Sequence, residues 1–140
     1  MQLRSVALVT LLCTAFLPGC DKVKQCNKLI DTINAHTPKM TAATEKFGEI
    51  TTNPKVVEEY EGVVQGAIDE VKELELSDEQ VAGFAKRYQD LLTDAKAIGT
   101  DMRAAATDPT KLQGVVTKAD EIRKTEETLV KEVNTYCSGS

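Results

Sequence analysis

The side chains able to do chemistry in this chain are few: four cysteines, one histidine and several carboxylate clusters. The thiols are Cys13, Cys20, Cys26 and Cys137, and no Cys-x-x-Cys redox pair occurs among them. His36 falls between Ile33 and Thr37 and reads as a solvated surface residue. A hydrolytic triad needs a histidine beside a nucleophile and an acid, and the chain holds no Gly-x-Ser-x-Gly. A di-iron bundle needs Glu-x-x-His on each of two helices, which one histidine cannot supply. His36 and Met40 lie one turn apart on one helix, so they cannot take opposite faces of a haem iron. Glu58-Glu59 with Glu61, Asp69-Glu70 with Glu73, Asp78-Glu79 and Glu126-Glu127 alternate with lysines. They read as solvated helix faces, and no calcium loop is present. No catalytic constellation, metal site or cofactor site is expected, and the chain does not read as an enzyme.

The first 20 residues carry a different chemistry. Arg4 is the only charged side chain before Asp21, and Val6 to Phe16 form an apolar run of eleven residues. A helix needs about 20 apolar residues to span a bilayer, so this run fits a signal peptide better than a membrane span. Leu17-Pro18-Gly19-Cys20 follows. It resembles the lipobox of bacterial lipoproteins, whose usual pattern is Leu, a small residue, Gly or Ala, then Cys. Pro18 departs from that pattern, since Ser or Ala is commoner there. The resemblance implies removal of residues 1–19 and a diacylglycerol thioether on Cys20, usually joined by an N-acyl chain such as palmitate. It also implies a cell-envelope address on a membrane surface facing the periplasm or the exterior. Asp21 resembles the inner-membrane retention signal of enteric bacteria, which other groups do not share, so the choice of membrane stays open.

Residues 20–140 make one domain by length. The whole chain has 17 basic and 22 acidic residues; without Arg4, 16 against 22 leaves a net charge of −6. That balance argues against nucleic acid and against a basic patch lying on anionic lipid. Tryptophan is absent, so the core must be aliphatic.

Apolar residues recur at alternating spacings of three and four, which specifies helices. Val81, Phe84, Tyr88, Leu91, Ala95, Ile98, Met102 and Ala105 form the longest stripe. Val23, Cys26, Ile30, Ile33, Thr37, Met40, Thr44 and Phe47 form another, which passes through Pro38; Thr37 and Thr44 loosen that seam. Val56 or Val57, Tyr60, Val63 or Val64, Ala67, Val71 and Leu74 form a third. Leu112, Val115, Ala119, Ile122, Leu129, Val133 and Tyr136 form the fourth, interrupted by Glu126. Asn53-Pro54 and Asp108-Pro109 each place a capping residue before a proline at the first helical position. In Leu76-Ser77-Asp78-Glu79-Gln80-Val81, Ser77 is the expected cap, Gln80 reaches back to it, and Leu76 staples onto Val81. Helices are therefore expected near 21–52, 54–75, 77–106 and 109–137. Their short connections predict an all-α, up-down-up-down four-helix bundle.

That topology places Cys26 and Cys137 at the same end. With Cys13 removed and Cys20 acylated, these two thiols remain, an even number for an oxidising compartment. A Cys26–Cys137 disulfide closing the membrane-proximal end is expected, with two unpaired buried thiols as the alternative. Cys26-Asn27-Lys28-Leu29-Ile30, followed by Ile33-Asn34, resembles the start of small helical lipoproteins of myxobacterial type, which pair it with a C-terminal cysteine. This resemblance implies a fold and an address but no activity.

Two motifs have bland explanations. Gly62-x-x-x-Gly66 either permits close helix approach or softens helix two. Leu76 to Gln80 resembles the Leu-Thr-x-x-Gln motif of small periplasmic chaperones, which usually carry two copies. The leading expectation is a lipid-anchored structural or protein-interaction module whose partners are the membrane, through Cys20, and another protein. A periplasmic helical chaperone or stress-binding protein is the alternative.

Overall fold

A computed structural model describes residues 18–138, with side chains from Asp21 onward. Cys13 and the apolar run before Leu17 lie outside the described residues. Four helices are present: α1 (Pro18–Glu45), α2 (Lys55–Lys72), α3 (Glu79–Thr107) and α4 (Leu112–Cys137). They form an antiparallel four-helix bundle with no strand among the described residues. α1 ends seven residues before its expected bound at residue 52. A 3₁₀ turn, Lys46–Glu49, follows it, and Asn53 N–H bonds Glu49 O at 2.7 Å as the chain reverses. A second 3₁₀ turn, Pro109–Lys111, leads into α4.

The helix starts show which polar groups cap them. Asp78, not Ser77, caps α3: its carboxylate accepts from Gln80 N and Val81 N, both at 3.0 Å. A carboxylate there also suits the positive end of the helix dipole. Asp108 accepts from Thr110 N at 3.2 Å and from Thr110 Oγ1 at 2.6 Å, fixing the turn before α4. Asn53 makes no side-chain cap; Pro54 occupies the cap position of α2.

α3 is the central helix. Val81, Phe84, Tyr88, Leu91, Ile98 and Ala105 are buried as the stripe requires, joined by Ala85 and Leu92. α2 buries Val56, Val57, Tyr60, Val64, Ala67, Ile68 and Val71 against it. Tyr60 also donates from its hydroxyl to Ala95 O on α3 at 2.8 Å. Gly99 allows this approach, because a Cβ there would stand 3.2 Å from both Glu61 Cγ and Tyr60 Cδ1. Gly62 and Gly66 do not serve close packing; a Cβ at either meets nothing within 4 Å.

The outer helices depart from their stripes. On α1 the buried face is Gln25, Cys26, Leu29, Thr32, Ile33, His36 and Ala43, whereas Val23, Thr37 and Thr44 are exposed. A straight helix drifts about 20° per heptad from a strict seven-residue repeat, and here the buried face turns toward α2. α4 packs chiefly on α3, and α1 touches α4 only sparsely. Its middle is accordingly less buried: Ala119 is exposed and Ile122 half-buried, while Leu129 and Val133 are buried nearer the C-terminus.

Candidate functional site

Two regions concentrate the polar and reactive groups. The first is the end of the bundle where α1 begins and α4 finishes. Cys26 and Cys137 form a disulfide there, with Cα atoms 5.7 Å apart. Around it the sequence brings together groups from three segments. The Gln25 amide serves the α2–α3 connection: its oxygen accepts from Ser77 N at 2.6 Å and Asp78 N at 2.8 Å, and its nitrogen donates to Ser77 Oγ at 2.9 Å. Tyr136 donates to the Asp78 carboxylate, at 3.1 and 3.0 Å from its two oxygens. Lys22 Nζ stands 3.9 Å from the Tyr136 ring centroid, a cation–π contact. The amide of Val81 and the Tyr136 hydroxyl hold the Asp78 carboxyl below its ordinary range. α1 is helical from Pro18, so the backbone of Cys20 stands in its first turn, six residues before the disulfide.

His36 is not a surface residue. It is 4% exposed at the α1–α2 contact, and its Nε2 donates to Glu70 Oε2 at 2.7 Å. Its Nδ1 is buried with no hydrogen-bond partner. Its one hydrogen-bonding neighbour among the described residues is thus the Glu70 carboxylate. Among the described residues no group of three or more His, Cys, Asp and Glu side chains is placed to hold a metal ion.

The second region is a cleft between α1 and α4. Sparse packing of those helices leaves two adjoining hollows that share Thr37, Arg123 and Glu126. One, of about 320 Å³, has Tyr88, Leu91, Leu92, Ala95 and Ile98 of α3 as its floor, with Met40 and Ile122 on its walls. The other, of about 500 Å³, runs toward the disulfide past Ile30, Ile33, Val130 and Val133. The apolar stripe read on helix one therefore faces this cleft at Ile30, Thr37, Met40 and Thr44, and Glu126 faces it from α4.

The polar groups of the cleft differ in how they are satisfied. Thr37, Thr41 and Thr44 spend their hydroxyl hydrogens on carbonyls of their own helix, at 2.9, 3.0 and 2.8 Å. Burial pushes the Tyr60 hydroxyl up to about 12. Arg123 is held by Glu127 at 2.6 Å and Asp120 at 3.5 Å. Tyr88, 1% exposed, has a buried hydroxyl with no partner. Burial, and then the charge of Glu126, raises its pKa. Burial also pushes the Glu126 carboxyl up, with Glu127 adding to the effect. Glu126, expected both as part of a solvated acidic face and as a break in the α4 stripe, is instead half-buried in the cleft lining, near Tyr88.

Among the described residues no helix is long and apolar enough to cross a membrane. Compared with known proteins, the chain matches no family model, no curated protein and no solved structure.

Proposed function

We propose that the protein is a lipid-anchored helical module of the bacterial cell envelope, holding an interaction surface for a protein partner close to the membrane. Cys20 is the anchor in this reading, and residues 1–19 are the signal that directs its acylation. The observation that carries it is the Cys26–Cys137 bond. Those two thiols satisfy each other, so the cysteine of Leu17-Pro18-Gly19-Cys20 is left to a separate chemistry. A single fatty chain holds a protein only marginally at a membrane, whereas two or more chains anchor it stably. Cys20 therefore needs no helical span to assist it.

The geometry also bears on what the anchor does. Six helical steps take the chain from Cys20 to Cys26, about 9 Å at 1.5 Å per residue. With so short a link the bundle rests on the bilayer with its disulfide end lowest. α3, at 29 residues, reaches about 44 Å away from it. Large exposed apolar side chains lie in two separate places, Val23 near one end and Leu112 with Val116 near the other. That dispersal favours a placed module over a chaperone with one broad apolar face.

Fractionation of cells expressing the wild type and Cys20→Ala tests the proposal. The wild type is expected in membranes as a processed, lipid-labelled form. Cys20→Ala is expected to accumulate unprocessed or leave the membrane. A membrane-bound, lipid-labelled mature form of Cys20→Ala overturns the reading.

A further inference from the structure

The α1–α4 cleft holds two polar groups without partners among the described residues, beside an apolar floor. Tyr88 lies on its floor with a buried, unpaired hydroxyl. Glu126 lines both hollows, and its carboxylate has no hydrogen bond or ion pair among the described residues. Glu126 is half-buried, and taking a carboxylate partly out of water without a partner costs stability. An apolar residue at position 126 continues the α4 stripe and removes that cost, so Glu126 has no structural justification in the fold. Breaks of local rules without a structural gain concentrate at functional sites.

The surroundings select the ligand. The threonine hydroxyls on α1 are turned to their own backbone, so that wall offers methyl groups. Leu91, Leu92, Ile98 and Met40 complete an apolar chamber of about 320 Å³, at the lower end of small-molecule sites, which run from roughly 300 to 1,000 Å³. Among the described residues that line the two hollows, charge is negative on balance: Arg123 stands against Glu126 and Glu127. An anionic head group is repelled there. A protonated amine can donate to the Glu126 carboxylate and the Tyr88 oxygen together.

We infer that the α1–α4 cleft binds a small amphiphilic amine, with its apolar body on the α3 floor and its ammonium group between Glu126 and Tyr88. The inference stands on the cleft alone and does not depend on whether Cys20 carries lipid, so either reading can fail without the other.

The test is titration of the full chain with hexylammonium, hexan-1-ol and hexanoate at neutral pH, followed by calorimetry and by methyl NMR of Leu92, Ile98 and Ile122. If the chain needs detergent, the titration of the detergent alone is subtracted. Hexylammonium is expected to bind saturably, shift those methyls, and bind at least about tenfold tighter than hexan-1-ol. Hexanoate is expected to leave them unmoved. Glu126→Gln, which keeps the side-chain size, is expected to abolish the preference for amine over alcohol while hexan-1-ol still binds. Tyr88→Phe is expected to weaken amine binding several-fold. Absence of saturable shifts at the cleft overturns the inference, as does equal binding of alcohol and amine, hexanoate binding as tight as hexylammonium, or an unchanged preference in Glu126→Gln.

Discussion

Cys26 on α1 and Cys137 on α4 are 111 positions apart in the chain and 5.7 Å apart between Cα atoms. Away from this bond the same two helices diverge around a cleft. The disulfide is therefore the principal tie between the first and last helices. The chain-entropy account gives about 4–5 kcal/mol for a loop of this length, as an upper figure. Reduction, or Cys137→Ser, is expected to lower the unfolding free energy by up to that amount, seen as a lower denaturant midpoint. Amide exchange is expected to quicken most at the start of α1 and the end of α4. An unchanged midpoint contradicts this assignment of the tie.

Asp78 joins three segments at that end by capping α3 and accepting from Tyr136. Loss of a helix cap costs about 1 kcal/mol, so Asp78→Ala is expected to lower stability at pH 7 by at least that amount. The Asp78 carboxyl is held below its ordinary value in the folded state. Its contribution is thus present above the ordinary carboxylate range and is lost as pH falls through the depressed value. Thermal melts of both forms between neutral and strongly acidic pH are expected to converge at the acidic end.

Glu126 has the opposite sign. Its carboxyl is raised by burial, so the folded state holds more protons than the unfolded chain between the ordinary value of 4.5 and the raised one. Stability falls as pH rises through that window, and the loss is complete above it. Glu126→Gln is expected to melt higher than the wild type at pH 7, with the gap closing below about pH 4.5. A wild type that melts higher at pH 7 contradicts the account of Glu126 as a cost to the fold.

Two glycines of α3 separate helix propensity from packing. Gly83 is exposed with nothing near its missing Cβ, so Gly83→Ala is expected to stabilise by about 1 kcal/mol. At Gly99 the added methyl meets Tyr60 and Glu61 at 3.2 Å. Tyr60 is pinned by its bond to Ala95 O and by edge-on contact with Phe47, ring centroids 4.9 Å apart. Overpacking costs about 1–3 kcal/mol, so Gly99→Ala is expected to be the less stable variant in thermal unfolding.

The sequence was most legible where one helix is packed on several sides. The α3 stripe from Val81 to Ala105 stands as spaced, because both α2 and α4 pack chiefly against this helix. α1 was legible as a helix but not in its facing, since its stripe turns toward an open cleft and His36 takes a place among its buried residues. No pattern along the chain announces that burial, which depends on Glu70, 34 positions away. The α3 cap moved by one residue because Gln25 claims Ser77 from across the bundle, leaving Asp78 for the helix amides. Thr37 and Thr44 did signal a loose seam, and Glu126 did signal a broken stripe. Their convergence with Tyr88 emerges only when α1, α3 and α4 are assembled.

Intact-mass and fragment spectrometry of the chain purified from its own cells tests the central claim most directly. The account predicts a polypeptide beginning at Cys20, with a diacylglycerol on its sulfur and the Cys26 and Cys137 peptides joined. A chain that retains residues 1–19, or one whose Cys20 is an unmodified thiol, contradicts it.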